Sequence, residues 1–157
     1  AEPHLGAIAE RLADDDWQVR YMACEALGMH GEAAVPHLGA VAELLADDIE
    51  YVRRAACIAL GEHGEAAAPH LGAIAERLAD AETSVRLAAC EALGKHGEAA
   101  EQYLDAVAAC LKDNESQVQF VACVALQKHG KAAAPHLGDV ADRLADEHYH
   151  VRKAACE

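Results

Sequence analysis

PHLGAIAERLADAETSVRLAACEALGKHGEAAE, running from Pro69 to Glu101, is the stretch whose reading decides the fold. Slid along the chain in steps of 33 residues, it recurs from Pro3, Pro36, Gln102 and Pro135, and the fifth copy stops at Glu157. A fixed period of this length with nothing between the copies marks a stacked array, in which each unit touches only its neighbours. The copies occupy residues 3–35, 36–68, 69–101, 102–134 and 135–157, the last incomplete. Residues 1–157 are therefore expected to form one continuous body that is a slice of a longer array.

Within each copy the apolar spacing gives two helices. Proline suits the first turn of a helix, where its missing N–H has no intrahelical partner to lose, so the first helix (helix A) is expected to open at Pro3, Pro36, Pro69 and Pro135. Leu5, Ile8 and Leu12 then follow at i, i+3 and i+7, one face of a helix. The same stripe reads Leu38, Val41, Leu45; Leu71, Ile74, Leu78; Leu104, Val107, Leu111; and Leu137, Val140, Leu144. Gly6, Gly39, Gly72 and Gly138 each weaken that helix by about 1 kcal/mol relative to alanine, and their recurrence predicts a neighbouring backbone passing close by. An acidic turn, Asp14 to Asp16 in the first copy, offers caps and negative charge to the next helix. That second helix (helix B) is expected from about Trp17 to His30, with Val19, Ala23, Ala26 and Leu27 on its inner side. Ala23 and Cys24 recur where successive B helices should meet. Gly31, Gly64, Gly97 and Gly130 stand where a left-handed stop wants no side chain. A single pair buries too few apolar side chains to offset the ordering of 33 backbones, so only stacking can hold it.

Composition agrees. The chain is 53% hydrophobic but only 4% aromatic, which suits closely packed helices better than strands built on bulky residues: the fold class is all-α. A net charge of −14 would repel phosphate backbones, so nucleic acid is not expected as a partner. Neither is a membrane, since no apolar run approaches the roughly 20 residues that span a bilayer. Cys24, Cys57, Cys90, Cys123 and Cys156 share one repeat position, placing neighbours on the order of 10 Å apart, beyond the roughly 7 Å Cα limit of a disulfide. They read as small hydrophobes in reduced form, in an intracellular and cytoplasmic compartment. No CxxC or Cys/His pair has ligand spacing, and eight of the ten histidines fall into packing positions: His30, His63, His96 and His129 at the end of helix B, and His4, His37, His70 and His136 after the prolines; His148 and His150 alternate at a helix start. No metal and no cofactor is expected.

The string Asp-x5-Val-Arg-x2-Ala-Cys-x-Ala-Leu-Gly resembles the HEAT repeat, in the short regular form of phycobilisome-lyase-like proteins and consensus α-helical repeat binders. The resemblance covers essentially the whole chain and implies an α-solenoid. It implies a ladder of hydrogen bonds between layers, made by Asp14, Asp47, Asp80, Asp113 and Asp146 with Arg20, Arg53, Arg86 and Arg152. The fourth copy departs from the pattern: Gln119 stands for the arginine, Gln127 for the glycine, and Gln102, Tyr103 and Asp105 alter Pro-His-x-Gly. One rung of the ladder and the local curvature are open there. The resemblance also implies that the B helices line a concave groove.

Comparison among the copies separates fixed positions, which explain folding, from variable ones, which are free for other work. At 100° per residue the variable places of helix B lie at roughly 160° to 300° from Val19, opposite the core. They are unusually apolar for a solvent face. The first copy supplies Trp17, Gln18, Tyr21, Met22, Glu25 and Met29; the second Tyr51, Arg54, Ile58 and Glu62. Leu87, Glu91 and Lys95 come from the third and Phe120, Val121, Val124 and Lys128 from the fourth. A contiguous exposed apolar patch marks a contact surface. The expected function is thus a non-catalytic scaffold binding a protein or peptide segment, with Tyr21, Met22, Tyr51, Ile58, Leu87, Phe120 and Val124 as anchors and Arg54, Lys95 and Lys128 orienting the partner. The alternatives are that these side chains pack on one another or cover the ends of a fragment, and that the chain is a spacer or assembly subunit associating through open ends. A bilin-lyase-like or metal-dependent enzyme ranks lower. In the di-iron HEAT hydroxylases His-Glu dyads follow the Val-Arg pair, whereas those two places here read Tyr21-Met22, Arg54-Ala55, Leu87-Ala88, Phe120-Val121 and Lys153-Ala154. No catalytic residue is assigned.

Overall fold

Residues 2–156 are described by a computed structural model, and every regular element among them is helical. Helix A is α1 (Glu2–Glu10), α3 (Leu38–Glu43), α5 (Leu71–Glu76), α7 (Leu104–Ala109) and α9 (Leu137–Asp142), each tightening into a three-residue 3₁₀ turn at its end. Helix B is α2 (Trp17–Gly28), α4 (Glu50–Gly61), α6 (Thr83–Lys95), α8 (Ser116–Lys128) and α10 (Tyr149–Cys156). Successive B helices pack side by side, and each A helix lies against the B helix of its own repeat.

Pro3 lies in the first turn of α1, as the sequence suggested, but the later prolines do not open the α-helical part of helix A. Pro36, Pro69 and Pro135 lie inside seven-residue 3₁₀ segments, Gly31–His37, Gly64–His70 and Gly130–His136. His37, at φ −106° and ψ −2°, then breaks the geometry before α3 starts. In the fourth copy Gly97–Tyr103 forms the same segment with Gln102 in the proline's place. Proline is therefore accommodated there, not required. Gly31, Gly64, Gly97 and Gly130 do take positive φ, near 50°, the left-handed stop that a side chain disfavours.

The glycines of helix A are also corrected. A Cβ on Gly6, Gly39 or Gly138 would meet nothing within 4 Å, and on Gly72 only the Tyr103 hydroxyl at 3.3 Å. The close approach is at the far end of helix B instead. A Cβ on Gly28, Gly61 or Gly94 would lie 3.1–3.2 Å from Ala59, Ala92 or Ala125 of the next B helix. These glycine–alanine contacts bring successive B helices close together at that end.

Cys24, Cys57, Cys90 and Cys123 are fully buried beside Leu27, Leu60, Leu93 and Leu126. Burial pushes the Cys24 and Cys57 thiols up to about 12, so each behaves as a neutral apolar group at physiological pH. The sixth cysteine, Cys110, comes from helix A and lies beside Cys90, whose thiol is held well above its ordinary value by hydrogen bonding to Cys110 and then by burial. The A-helix stripe is buried in the middle copies, but Leu137 and Leu144 are 61% and 48% exposed. α5 and α7 pack against the 3₁₀ segments that follow the B helices of their own repeats, Gly97–Tyr103 and Gly130–His136, and no such segment follows α10 among the described residues.

The ladder forms as two-pronged ion pairs. Arg20 Nε and Nη2 donate to Asp47 at 2.8 and 3.0 Å, Arg53 to Asp80 at 2.9 and 2.9 Å, and Arg86 to Asp113 at 2.8 and 3.0 Å. The third prong, Nη1, ties the carbonyls of the arginine's own turn, such as Asp47 O at 2.8 Å for Arg53. Each receiving carboxylate also accepts the N–H two residues on, as Asp47 does from Ile49, and so shapes the turn that opens helix B. Direct side-chain capping is confined to Asp16, which accepts from Gln18 N–H at the start of α2. A second set of cross-ties comes from His63 and His129, buried against Leu27 O and Leu93 O at 3.1 and 3.2 Å. His30, in the equivalent place of the first copy, is exposed and turns to its own Ala26 carbonyl.

Candidate functional site

The outward face of the B helices carries the variable residues, with unequal exposure. Gln18, Met22, Glu25, Tyr51, Arg54, Ile58, Glu91, Lys95 and Lys128 are exposed. Trp17, Tyr21, Leu87, Phe120, Val121 and Val124 are half-buried and lean on the core. Trp17 lies flat on Tyr51, ring centroids 5.5 Å apart and planes inclined 26°, so the residue at the start of α2 folds across to α4. Tyr149 remains 73% exposed. Met22 is a border case. Its equivalents Ala55, Ala88 and Ala154 are buried between repeats, and Met22 is exposed because no layer covers the outer side of α2 among the described residues. Val19 is half-buried for the same reason, whereas Val52, Val85, Val118 and Val151 are fully buried.

The structure gathers part of this set into a hollow and leaves the rest as a ridge. Between α2 and α4 a cavity of about 620 Å³ is lined by Tyr21, Glu25, Gly28, Met29, Gly31, Arg54, Ala55, Ile58, Ala59 and Glu62. A shallower one of about 430 Å³ adjoins it around Trp17, Gln18, Met22 and Tyr51, sharing Tyr21 and Arg54. Neither is lined by Leu87, Phe120, Val121 or Val124. Phe120 belongs to a separate aromatic group at the other end, edge-on to His150 at 6.0 Å, with Tyr149 and His148 beside it.

The floor of the larger hollow was not legible as a site. Gly28 and Ala59 are small residues that pack successive B helices together, and Ala55 is a small residue where the first copy has Met22 and the fourth Val121; because they carry little side chain, they also leave room above themselves. The available signal was their spacing of 31 residues, Gly28 to Ala59, overlaid with large variable neighbours.

The charges around the hollow are largely spoken for. Glu62 accepts from Lys95 Nζ at 2.5 Å, so Lys95 is bound within the protein instead of standing ready to orient a partner. Glu25 accepts from the Tyr21 hydroxyl, and that hydrogen bond, followed by burial, raises the phenol's proton affinity. Among the described residues Arg54 has no ion-pair or hydrogen-bond partner, although its charge acts on the Tyr21 phenol. Among the described residues no three His, Cys, Asp or Glu side chains converge as metal ligands, and no helix is long and apolar enough to cross a membrane.

A family model for HEAT repeats matches residues 3–77 and 69–157, and the chain belongs to the HEAT-repeat family. Solved structures agree on an armadillo/HEAT-like solenoid. The complex of CpcE and CpcF of phycocyanin lyase from Nostoc sp. PCC7120 superimposes with a TM-score of 0.76 at 20% identity, covering 99% of this chain and 98% of that one. A designed armadillo repeat protein in complex with the peptide (KR)4 gives 0.76 at 18% identity, covering 97% and 79%. An engineered protein gives 0.77 at 17% identity, covering 97% and 76%. At such identities the likeness concerns the fold, a repeat solenoid consistent with a binding scaffold. No curated protein gives a significant sequence match.

Proposed function

We propose that this chain is a non-catalytic scaffold that binds a protein or peptide segment along the outward face of its B helices. The observation that carries the reading is the coincidence of the 620 Å³ hollow with positions that vary between copies: Met29 and Ile58, 78% and 40% exposed, form its apolar walls. An exposed thioether and an exposed branched alkyl group beside a cavity are energetically unfavourable in water unless something covers them. The designed armadillo neighbour that holds (KR)4 supports peptide binding by a solenoid of this kind. The places that hold His-Glu dyads in the di-iron HEAT hydroxylases carry Tyr21-Met22 and Arg54-Ala55 here, which favours binding over catalysis. Buried, unpaired thiols favour a reducing, intracellular setting. In a test, peptides selected from a random display library are mapped by backbone chemical shifts. The reading expects shifts on α2 and α4, and loss of binding in Ile58→Asp with helical content unchanged; shifts confined to helix A or the 3₁₀ segments would end it.

A second reading is self-association through the uncovered ends. Leu137 and Leu144 at one end are exposed, and Ile8, Val19, Met22, Ala23 and Ala26 line a hollow of about 400 Å³ at the other. It expects sedimentation to become concentration-dependent, and Leu137→Glu to abolish that dependence while Ile58→Asp leaves it intact.

A further inference from the structure

Charge accounting around the hollow narrows the chemistry of its occupant. Of the three charged groups on its wall, Glu62 is paired with the Lys95 ammonium, while Glu25 accepts from the neutral Tyr21 hydroxyl and keeps its charge. Arg54, which lines the hollow with Tyr21 and Ile58, makes no ion pair among the described residues, although Glu50 stands one helical turn before it and Glu25 lines the same hollow. The open hydrogen-bond donor of the pocket is therefore a guanidinium, whose planar fork matches a carboxylate. Beside it the wall is Met29, Ile58 and Ala59, with no unengaged polar side chain.

We propose that this hollow takes a large apolar side chain of an acidic peptide, whose neighbouring Asp or Glu carboxylate pairs with Arg54; the proposal rests on the reading of the B-helix face as a peptide site. The spacing is set by the helix. Arg54 and Ile58 are one turn apart, about 6 Å along α4, and on an extended peptide about 7 Å separates residues two apart. The motif is thus an acidic residue two positions from an apolar anchor, both side chains on the same side of the strand. The net charge of −14 opposes an acidic partner at long range, but at physiological salt that field decays over about 8 Å, whereas the fork acts in contact.

The test is parallel selection from one random peptide display library on the wild-type chain, Arg54→Glu, Arg54→Gln and Ile58→Asp, each checked for unchanged circular dichroism. Wild-type selection is expected to enrich an apolar residue with Asp or Glu two positions away. Synthetic peptides of that consensus should bind at least ten-fold tighter than their Asn or Gln counterparts. Arg54→Gln should abolish that ratio, Arg54→Glu should enrich Lys or Arg in the acidic place, and Ile58→Asp should enrich nothing in common with the wild type. A wild-type consensus that is neutral or basic beside its anchor, yet lost on Ile58→Asp, overturns the acidic partner and leaves the peptide site standing. No enrichment, or a consensus indifferent to Ile58→Asp, overturns both.

Discussion

Two junctions in the same stack are built differently. Where α4 meets α6, Arg53 spans the layers: two prongs hold Asp80 at 2.9 Å and the third holds Asp47 O. Ala92 closes on Gly61, and Arg77 Nη1 reaches back to Leu45 O at 3.1 Å. Where α8 meets α10, Gln119 replaces the arginine. Its amide reaches Asp113 O at 2.7 Å, but Asp146 receives no fork from the preceding layer and settles for His148 N–H at 2.9 Å. Gln119 Oε1 is buried without a partner, Gln127 donates to Ala154 O, and Arg143 still reaches Leu111 O at 3.3 Å. The arginine therefore does two separable jobs, shaping its own turn and clamping the next layer, and glutamine keeps only the first.

The largest way to disturb this contrast is to remove the clamp where it exists. Asp80→Ala leaves the Arg53 guanidinium, whose side chain is only 14% exposed, without its counter-ion. The expected loss is about 3 kcal/mol, read as a shift in urea midpoint, with faster amide exchange on both sides of the α4–α6 junction. The same substitution at Asp146 should cost less than half as much, because no arginine from the layer before depends on it.

Acid titration asks the same question without mutation. For Asp47 and Asp80 burial alone would push the carboxyls up, but the forks of Arg20 and Arg53, with the N–H groups of Ile49 and Glu82, outweigh it and hold both below their ordinary 3.8. As pH falls through 3.8 the unfolded chain binds these protons first, so the stability they contribute is present above 3.8 and drains below it. His96 acts earlier: burial lowers its affinity from the ordinary 6.5, the backbone at Leu60 and Gly64 pulling it partly back, so stability begins to fall below about 6.5. At the alkaline end Cys24 and Cys57, pushed up from 9.0 to about 12, remain protonated while unfolded thiols ionise, and stability declines above about 9. Urea midpoints should form a plateau between about 6.5 and 9, and Asp80→Asn should flatten the acid limb.

Installing the missing clamp is the converse experiment. Gln119→Arg faces Asp146 across 27 residues, the separation of the other three pairs. It also removes a buried unpartnered oxygen. The expected gain is about 1–2 kcal/mol, seen as slower hydrogen exchange in α10 while α4 is unchanged.

The smallest effects separate two classes of glycine. Gly39→Ala adds a methyl group to open space and should stabilise by about 1 kcal/mol through helix propensity. In Gly61→Ala the same methyl lands 3.1–3.2 Å from Ala92, and overpacking of about 1–3 kcal/mol should reverse the sign. Thermal melts of the two variants, moving in opposite directions, would check it.

That last pair shows where the sequence was readable. The period, the helix count per copy and the left-handed stops follow from residues that recur at fixed offsets; the Asp–Arg ladder was implied by the resemblance to the HEAT repeat, and a gap in it was legible in Gln119. Which recurrent glycine served close packing was not legible, because Gly39 and Gly61 recur equally well and only the rotation of each helix distinguishes them. The prolines misled for a similar reason: proline fits the first turn of an α-helix and a 3₁₀ segment alike. For the candidate site, variability between copies pointed to the outward face of the B helices but not to the hollow within it. That depended on which outward residues flank the Gly28–Ala59 contact and on Lys95 turning to Glu62, a pairing between side chains 33 residues apart.

The stops at Gly31, Gly64, Gly97 and Gly130 carry a last consequence. Each sits at φ near 50° with nothing within 4 Å of an added Cβ; space is free and only handedness is refused. A D-alanine at Gly64 inverts that preference, since a mirror-image residue favours the torsion that an L-residue avoids. It would narrow the conformations open to the denatured chain, so chemical synthesis could stiffen this array one linker at a time through stereochemistry alone.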